Sequence, residues 1–85
     1  MVVLSQDKRS LIEVHNVKIK EDGIYYTIYN SRLKLTGTSI ANEEDNLGTY
    51  SSINRAEKVL YDLAFRWKSY LRGYLEDGLY VMPEK

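Results

Sequence analysis

The stretch that decides the fold runs Val17-Lys18-Ile19-Lys20-Glu21-Asp22-Gly23-Ile24-Tyr25-Tyr26-Thr27-Ile28-Tyr29-Asn30-Ser31-Arg32-Leu33-Lys34-Leu35-Thr36. Apolar residues recur here at every second position, the spacing of strands with one buried face. Asp22-Gly23 is a favoured two-residue hairpin turn, because both central positions take φ > 0. With that turn at a tip, Ile19 lies opposite Tyr26 and Val17 opposite Ile28. Asn30-Ser31 is a second turn candidate of the same length, setting Ile28 opposite Leu33, Tyr26 opposite Leu35 and Ile24 opposite Gly37. The two turns agree on one inward face of Val17, Ile19, Ile24, Tyr26, Ile28, Leu33 and Leu35, which a one-residue slip would destroy.

Under this register Lys18, Lys20, Tyr25, Thr27, Tyr29, Arg32, Lys34 and Thr36 point away from the core. That face holds four cations, two tyrosines and no carboxylate. Cations beside aromatic rings on an antiparallel sheet can hold a nucleotide phosphate or single-stranded nucleic acid by charge and stacking. The same residue types also suit an ordinary solvated strand face. Lys18, Lys20, Tyr25, Tyr29, Arg32 and Lys34 are the candidate ligand-binding residues on the first reading.

Upstream, Val2 and Leu4 alternate with polar or small neighbours, as do Ile12 and Val14. A three-residue connection at Asp7-Lys8-Arg9 sets Leu4 opposite Ile12 and Val2 opposite Val14. The inward positions then change parity to Val17 and Ile19, which a bulge or kink at His15-Asn16 accomplishes. Downstream, Thr38-Ser39-Ile40 extends a strand, Asn42-Glu43-Glu44-Asp45-Asn46 reads as an acidic surface loop, and Leu47-Gly48-Thr49-Tyr50 as a last short strand.

From Ser52 the period becomes 3.6. Ile53, Ala56, Leu60, Leu63, Ala64, Trp67, Leu71 and Tyr74 fall on one helical face, with Val59 and Tyr70 at its edge. Ser52 or Ser51 supplies the N-cap oxygen. The helix spans about 52–76 and ends at Gly73 or at Gly78, after Glu76-Asp77. Leu79-Tyr80-Val81-Met82, closed by Pro83, is a short apolar tail that docks as an edge strand or pairs with another chain. The resulting fold is α+β, a four- to five-stranded antiparallel meander sheet packed on one long C-terminal helix, in a single domain covering 1–85.

Composition bounds the function. Twelve Lys+Arg balance twelve Asp+Glu in 85 residues, so the bulk charge of a general DNA-coating or membrane-surface protein is absent. Hydrophobic residues at 44% against 28% charged describe a chain that folds rather than a disordered one. There is no cysteine, which removes thiolate metal sites, thiol nucleophiles and disulfides. Met1-Val2-Val3-Leu4 is apolar but is cut short by Gln6-Asp7-Lys8-Arg9, so a cytoplasmic protein without membrane attachment is expected.

Two stretches carry a resemblance. Ser5-Gln6-Asp7 and Leu47-Gly48-Thr49-Tyr50-Ser51-Ser52-Ile53-Asn54-Arg55-Ala56-Glu57-Lys58-Val59-Leu60 together resemble short, mostly uncharacterised proteins of Gram-positive bacteria and their phages. Those proteins open with S-Q-D, run through several strands and enter a helix as L-G-x-Y-x-[ST]-x-x-R-A-x-x-V-L. This chain departs in having Ile53 and Asn54 where acidic residues are expected, and in its longer, Tyr-rich C-terminal section. The resemblance implies a phage or mobile-element setting and transfers no catalytic residue.

Candidate chemistry is sparse. His15 is the only histidine, with no second histidine or cysteine to complete a metal shell or a nucleophile–base pair. Asn42, Glu44 and Asn46 lack the following Gly and distant Glu of a calcium loop. Gly48 stands outside any phosphate-cradling Gly-rich motif. No catalytic residue, metal ligand or cofactor is assigned, and the expected class is non-enzymatic.

The helix offers the second function class. Tyr61 and Phe65 lie four residues apart and off the core stripe, beside Lys58, Lys68 and Arg72. Exposed aromatics flanked by basic residues are typical anchors of protein interfaces. Tyr61, Phe65, Lys68 and Arg72 are the candidate partner-binding residues, the partner being a second copy in a homodimer or a host protein.

Overall fold

The structure, a computed structural model, describes residues 1–73 and 78–85. Among the described residues it is α+β, with six strands in two three-stranded sheets and one helix. One sheet contains β1 (Val2–Leu4), β2 (Leu11–Glu13) and β6 (Leu79–Val81) in the order β2-β1-β6. The other is an antiparallel meander of β3 (Val17–Asp22), β4 (Tyr25–Thr36) and β5 (Ser39–Tyr50). The helix, α1, spans Ile53–Leu71. A single meander sheet of four or five strands is not formed. The kink placed at His15-Asn16 is where the chain leaves one sheet for the other, and the C-terminal tail pairs parallel with β1.

Serine chemistry sets the register of the first hairpin. Ser5 Oγ donates to Asp7 Oδ1 at 2.6 Å and accepts the Ser10 N–H at 3.1 Å, while Asp7 also accepts the Arg9 N–H. The Ser5 N–H bonds to the Ser10 carbonyl, so the connection is the four residues 6–9, with Lys8 at φ 63°. Pairing becomes Val3 with Ile12 and Val2 with Glu13, one residue away from the expected register. Met1, Val3 and Ser5 therefore point inward, and Val2 and Leu4 are only half-buried.

Both meander turns also move. The first tip is Gly23-Ile24, with Gly23 at φ 65° and Asp22 paired with Tyr25. Glycine at the first central position supplies the positive φ, so Asp22 stays in the strand. The shift is two residues, so the faces survive: Ile19 now opposes Ile28, Val17 opposes Asn30, and Tyr26 and Ile28 still face the core. Ile24, expected inside, sits exposed at the turn.

The second shift changes the protein. β4 does not turn at Asn30-Ser31 but continues to Thr36, and the turn falls at Gly37-Thr38, with Gly37 at φ 61°. Asn30 is fully buried: its side-chain oxygen accepts the N–H groups of His15 at 2.9 Å and Asn16 at 3.2 Å, and its amide donates to Asp45 at 3.2 Å. The asparagine thus satisfies the backbone of the kink between the sheets, a demand local sequence does not reveal. Because the strand continues, Leu33 and Leu35 lie on the face opposite Tyr26 and Ile28, and both are exposed. The stretch 42–46, expected as a loop, is strand β5 paired with β4.

Opposite Ile28, β5 carries Gly48, but Tyr29 faces Asn46, so Leu47 is a bulged residue, here buried in the core. α1 starts where expected, with Ser52 Oγ accepting the Arg55 N–H at 3.1 Å. It ends at Arg72, and the Gly73 N–H bonds to the Tyr70 carbonyl. Tyr74, Glu76 and Asp77, read above as helix face and helix end, lie outside the described residues. The buried stripe is Ala56, Val59 and Leu63, with Leu60 and Trp67 half-buried, so Val59 is central rather than marginal. Ala64 and Leu71, expected in the core, are exposed, and Ile53 is 38% exposed. The Tyr80 hydroxyl donates to Asp62 at 2.9 Å, which holds β6 against one flank of α1 and leaves the other uncovered. Among the described residues no helix is long and apolar enough to cross a membrane.

Candidate interaction surface

The uncovered flank of α1 carries the aromatic pair. Tyr61 is 78% and Phe65 64% exposed, with Lys68 one turn on and Arg72 one turn beyond, both exposed. The spacing 61, 65, 68, 72 is the i, i+3/i+4 ridge of a helix, so the four candidate partner-binding residues do share one face. Tyr61, Ala64, Phe65 and Lys68 enclose a shallow groove of about 220 Å³. A wider open depression of about 750 Å³ runs along Asn54, Glu57, Lys58 and Asp62 and also reaches Tyr61. Leu71 is also exposed near the helix end, about 120° around the helix from Phe65 and nearer the core stripe.

The basic sheet face is not assembled as expected. Lys18, Lys20, Tyr25 and Tyr29 share one face, but Arg32 and Lys34 lie on the other, because β4 runs straight through Asn30-Ser31. Carboxylates of β5 stand beside these cations across the ladder. Arg32 bonds to Asp45 through Nε at 3.0 Å and Nη2 at 3.3 Å, and reaches Glu43 at 2.9 Å. Lys34 pairs with Glu43 at 3.2 Å; Lys20 pairs with Glu44 and lies 5.1 Å from the Tyr29 ring centre. The hydrogen bond to Glu44 raises the Lys20 pKa, and the bond to Asp45 raises that of Arg32. Burial pushes the Asp45 carboxyl up, but bonds from Asn30 and Arg32 outweigh it and hold the pKa below its ordinary value. Reading 42–46 as a loop hid these pairs. As a strand, it lays three acidic residues beside cations of β3 and β4.

The residues of the resemblance meet in space and do structural work. The Gln6 N–H bonds to the Leu47 carbonyl at 2.7 Å. Its side-chain oxygen accepts the Thr49 N–H at 2.8 Å, and its amide nitrogen donates to the carbonyls of Thr49, Glu84 and Pro83 at 3.0, 2.9 and 3.3 Å. Gly48 permits this approach: a Cβ there would stand 3.1 Å from the Tyr50 hydroxyl and 3.2 Å from the Gln6 Cβ. The Tyr50 hydroxyl donates to Pro83 at 2.8 Å, and burial pushes its pKa up to about 12. Ser52 caps the helix, Arg55 lies 6.0 Å from the Tyr50 ring centre, and Ala56 and Val59 are core. One clasp thus joins the first loop, the end of β5 and the C-terminal tail.

Sequence reasoning missed a second apolar surface. Leu33, Leu35 and Ile40 are 74%, 76% and 67% exposed on one face of the outer β4–β5 ribbon, with Leu35 directly opposite Ile40. The available signal was Thr36-Gly37-Thr38-Ser39, a glycine-bearing turn between two alternating stretches. His15 is exposed beside the kink, and its backbone N–H is what the fold uses. Comparison with known proteins finds no matching family model, no matching curated protein and no matching solved structure.

Proposed function

We propose that this chain is a small non-enzymatic interaction protein that acts in the cytoplasm by docking the Tyr61/Phe65 face of α1, rimmed by Lys68 and Arg72, on a protein partner. The partner is a second copy of the chain or a host protein, and the resemblance of the Ser5-Gln6-Asp7 and 47–60 stretches supports a phage or mobile-element setting. One observation carries the reading: two large aromatics stand exposed one turn apart and flank a groove, on the side of the helix that neither sheet covers. An aromatic anchor of this kind, once buried in a partner, typically contributes the largest single share of binding energy.

The nucleotide or single-stranded nucleic-acid reading loses the arrangement that motivated it. Its six residues divide between two faces, and Lys20, Arg32 and Lys34 already face carboxylates. The two readings separate cleanly. Capture of a binding protein, or self-association by sedimentation, that tolerates salt and is lost in Phe65→Ser supports the helix face. Salt-sensitive binding of a labelled oligonucleotide that is lost in Tyr25→Ala and indifferent to Phe65→Ser replaces it.

A further inference from the structure

The outer β4–β5 ribbon and the bare flank of α1 are two unpartnered apolar surfaces on one small molecule. β3 pairs with β4 only as far as Val17 opposite Asn30, so residues 31–44 form a two-stranded ribbon with no third strand among the described residues. Such a ribbon is marginal in water on its own. Its two faces differ. Arg32, Lys34 and Glu43 occupy one and satisfy each other, whereas Leu33, Leu35 and Ile40 occupy the other and touch no core.

We propose that this ribbon is an exchange arm, whose Leu33/Leu35/Ile40 face lies on the Tyr61/Phe65 face of α1 in a second copy of the chain while that copy's arm does the same in return. The proposal rests on the protein-contact reading of α1 and names the surface that meets it.

Three observations select a second copy. First, the surfaces cannot meet within one molecule. α1 packs on the sheet face that bears Ile19, Tyr26 and Ile28, and the arm's leucines are on the opposite face of the same strand. Second, the dimensions agree. The arm projects about 20 Å beyond Asn30 at strand rise, and the helix ridge from Tyr61 to Arg72 is about 16 Å long. Third, the area agrees. Five exposed side chains, each offering on the order of 150 Å², give roughly 750 Å² per copy, close to the usual share of one partner in a stable interface. Packing arm against arm, or helix against helix, uses only about half of that. Reciprocal exchange about a two-fold axis closes after two copies, whereas a one-way contact would propagate into open chains.

The chain contains no cysteine, so introduced thiols are the only ones present. Leu35→Cys and Phe65→Cys chains are mixed, allowed to exchange and mildly oxidised, and the products are resolved by mass. The mixed Leu35→Cys/Phe65→Cys disulfide is expected to dominate over either homodimer. Sedimentation of the wild type should give twice the 9.9 kDa chain mass. Leu33→Thr with Leu35→Thr should weaken the dimer on the order of a hundredfold, with an unchanged circular dichroism spectrum. A dominant Phe65–Phe65 disulfide, with a dimer indifferent to the leucine changes, overturns the arm and leaves the helix contact standing. A wild type that stays monomeric at every concentration also overturns the arm, and the helix reading is then decided by whether Phe65→Ser loses a captured protein.

Discussion

From Tyr26 to Asn30, β4 lies between β3 and β5 and beneath α1; from Arg32 to Thr36 it is bonded to β5 alone. The alternation of apolar and polar residues is as regular in the outer half as in the inner one. Yet Ile28 is fully buried, and Leu33 and Leu35 stand in solvent. Alternation specifies which residues share a face, but burial needs a further layer to cover that face. Inside, the second layer is α1. Outside, the described residues provide none, so the outer ribbon is either solvated at a cost or covered by another molecule.

The sharpest way to break this contrast is a pair of leucine truncations. Leu63→Ala, at the centre of the helix stripe, should destabilise by about 2–5 kcal/mol, whereas Leu35→Ala in the arm should change the stability of the isolated chain by less than about 0.5 kcal/mol. Urea unfolding at low protein concentration measures both. Equal losses would mean that the arm belongs to the core. Asn30→Ala, at the boundary between the halves, should cost about 1–3 kcal/mol, since it removes the shared acceptor of two part-buried N–H groups at the kink. A loss near that of an exposed strand residue would remove the role given to this side chain. Gln6→Ala should cost about 1–3 kcal/mol by opening the clasp, and amide exchange of Thr49 should accelerate selectively.

Two pH effects are smaller. Asp45 has a folded-state pKa below its ordinary value of 3.8, so its contribution is complete above that value. It is lost as pH falls through the lower folded pKa. Asp45→Asn should flatten the acid limb of the stability profile at the arm's root. Tyr50 titrates oppositely. With the folded pKa raised from 10.0 to about 12, stability is full below pH 10 and falls between 10 and 12. Tyr50→Phe should flatten that alkaline limb and cost about 1 kcal/mol at neutral pH through the lost bond to Pro83. An acid limb unchanged in Asp45→Asn would break the ion-pair account of the arm's charged face.

Much of the candidate surface was readable from the chain. Tyr61, Phe65, Lys68 and Arg72 share a helix face because a 3.6 period places them there whatever the helix packs on. The charged sheet face was not readable, since the partners of Lys20, Arg32 and Lys34 lie in a stretch whose composition resembles a loop. Glu43, Glu44 and Asp45 are poor strand formers, held in β5 by pairing with β4 and by the cations beside them.

The sequence by itself determined the two-class architecture, the change of period and the cap at Ser52, and the inward parity of Val17, Ile19, Tyr26 and Ile28. These follow from spacing and from hydrogen bonds between near neighbours. Tertiary structure alone decided where β4 ends, which strands share a sheet and which cations are paired. Asn30 becomes a buried strand residue only because the kink at His15-Asn16, far along the chain, brings it two unsatisfied N–H groups. Gly48 shows the same thing at the clasp, where the constraint is the approach of Gln6 and Tyr50 rather than any local turn. A residue's intrinsic preference is worth about 1 kcal/mol or less, and a buried backbone group left without a partner costs more, so the distant contact prevails.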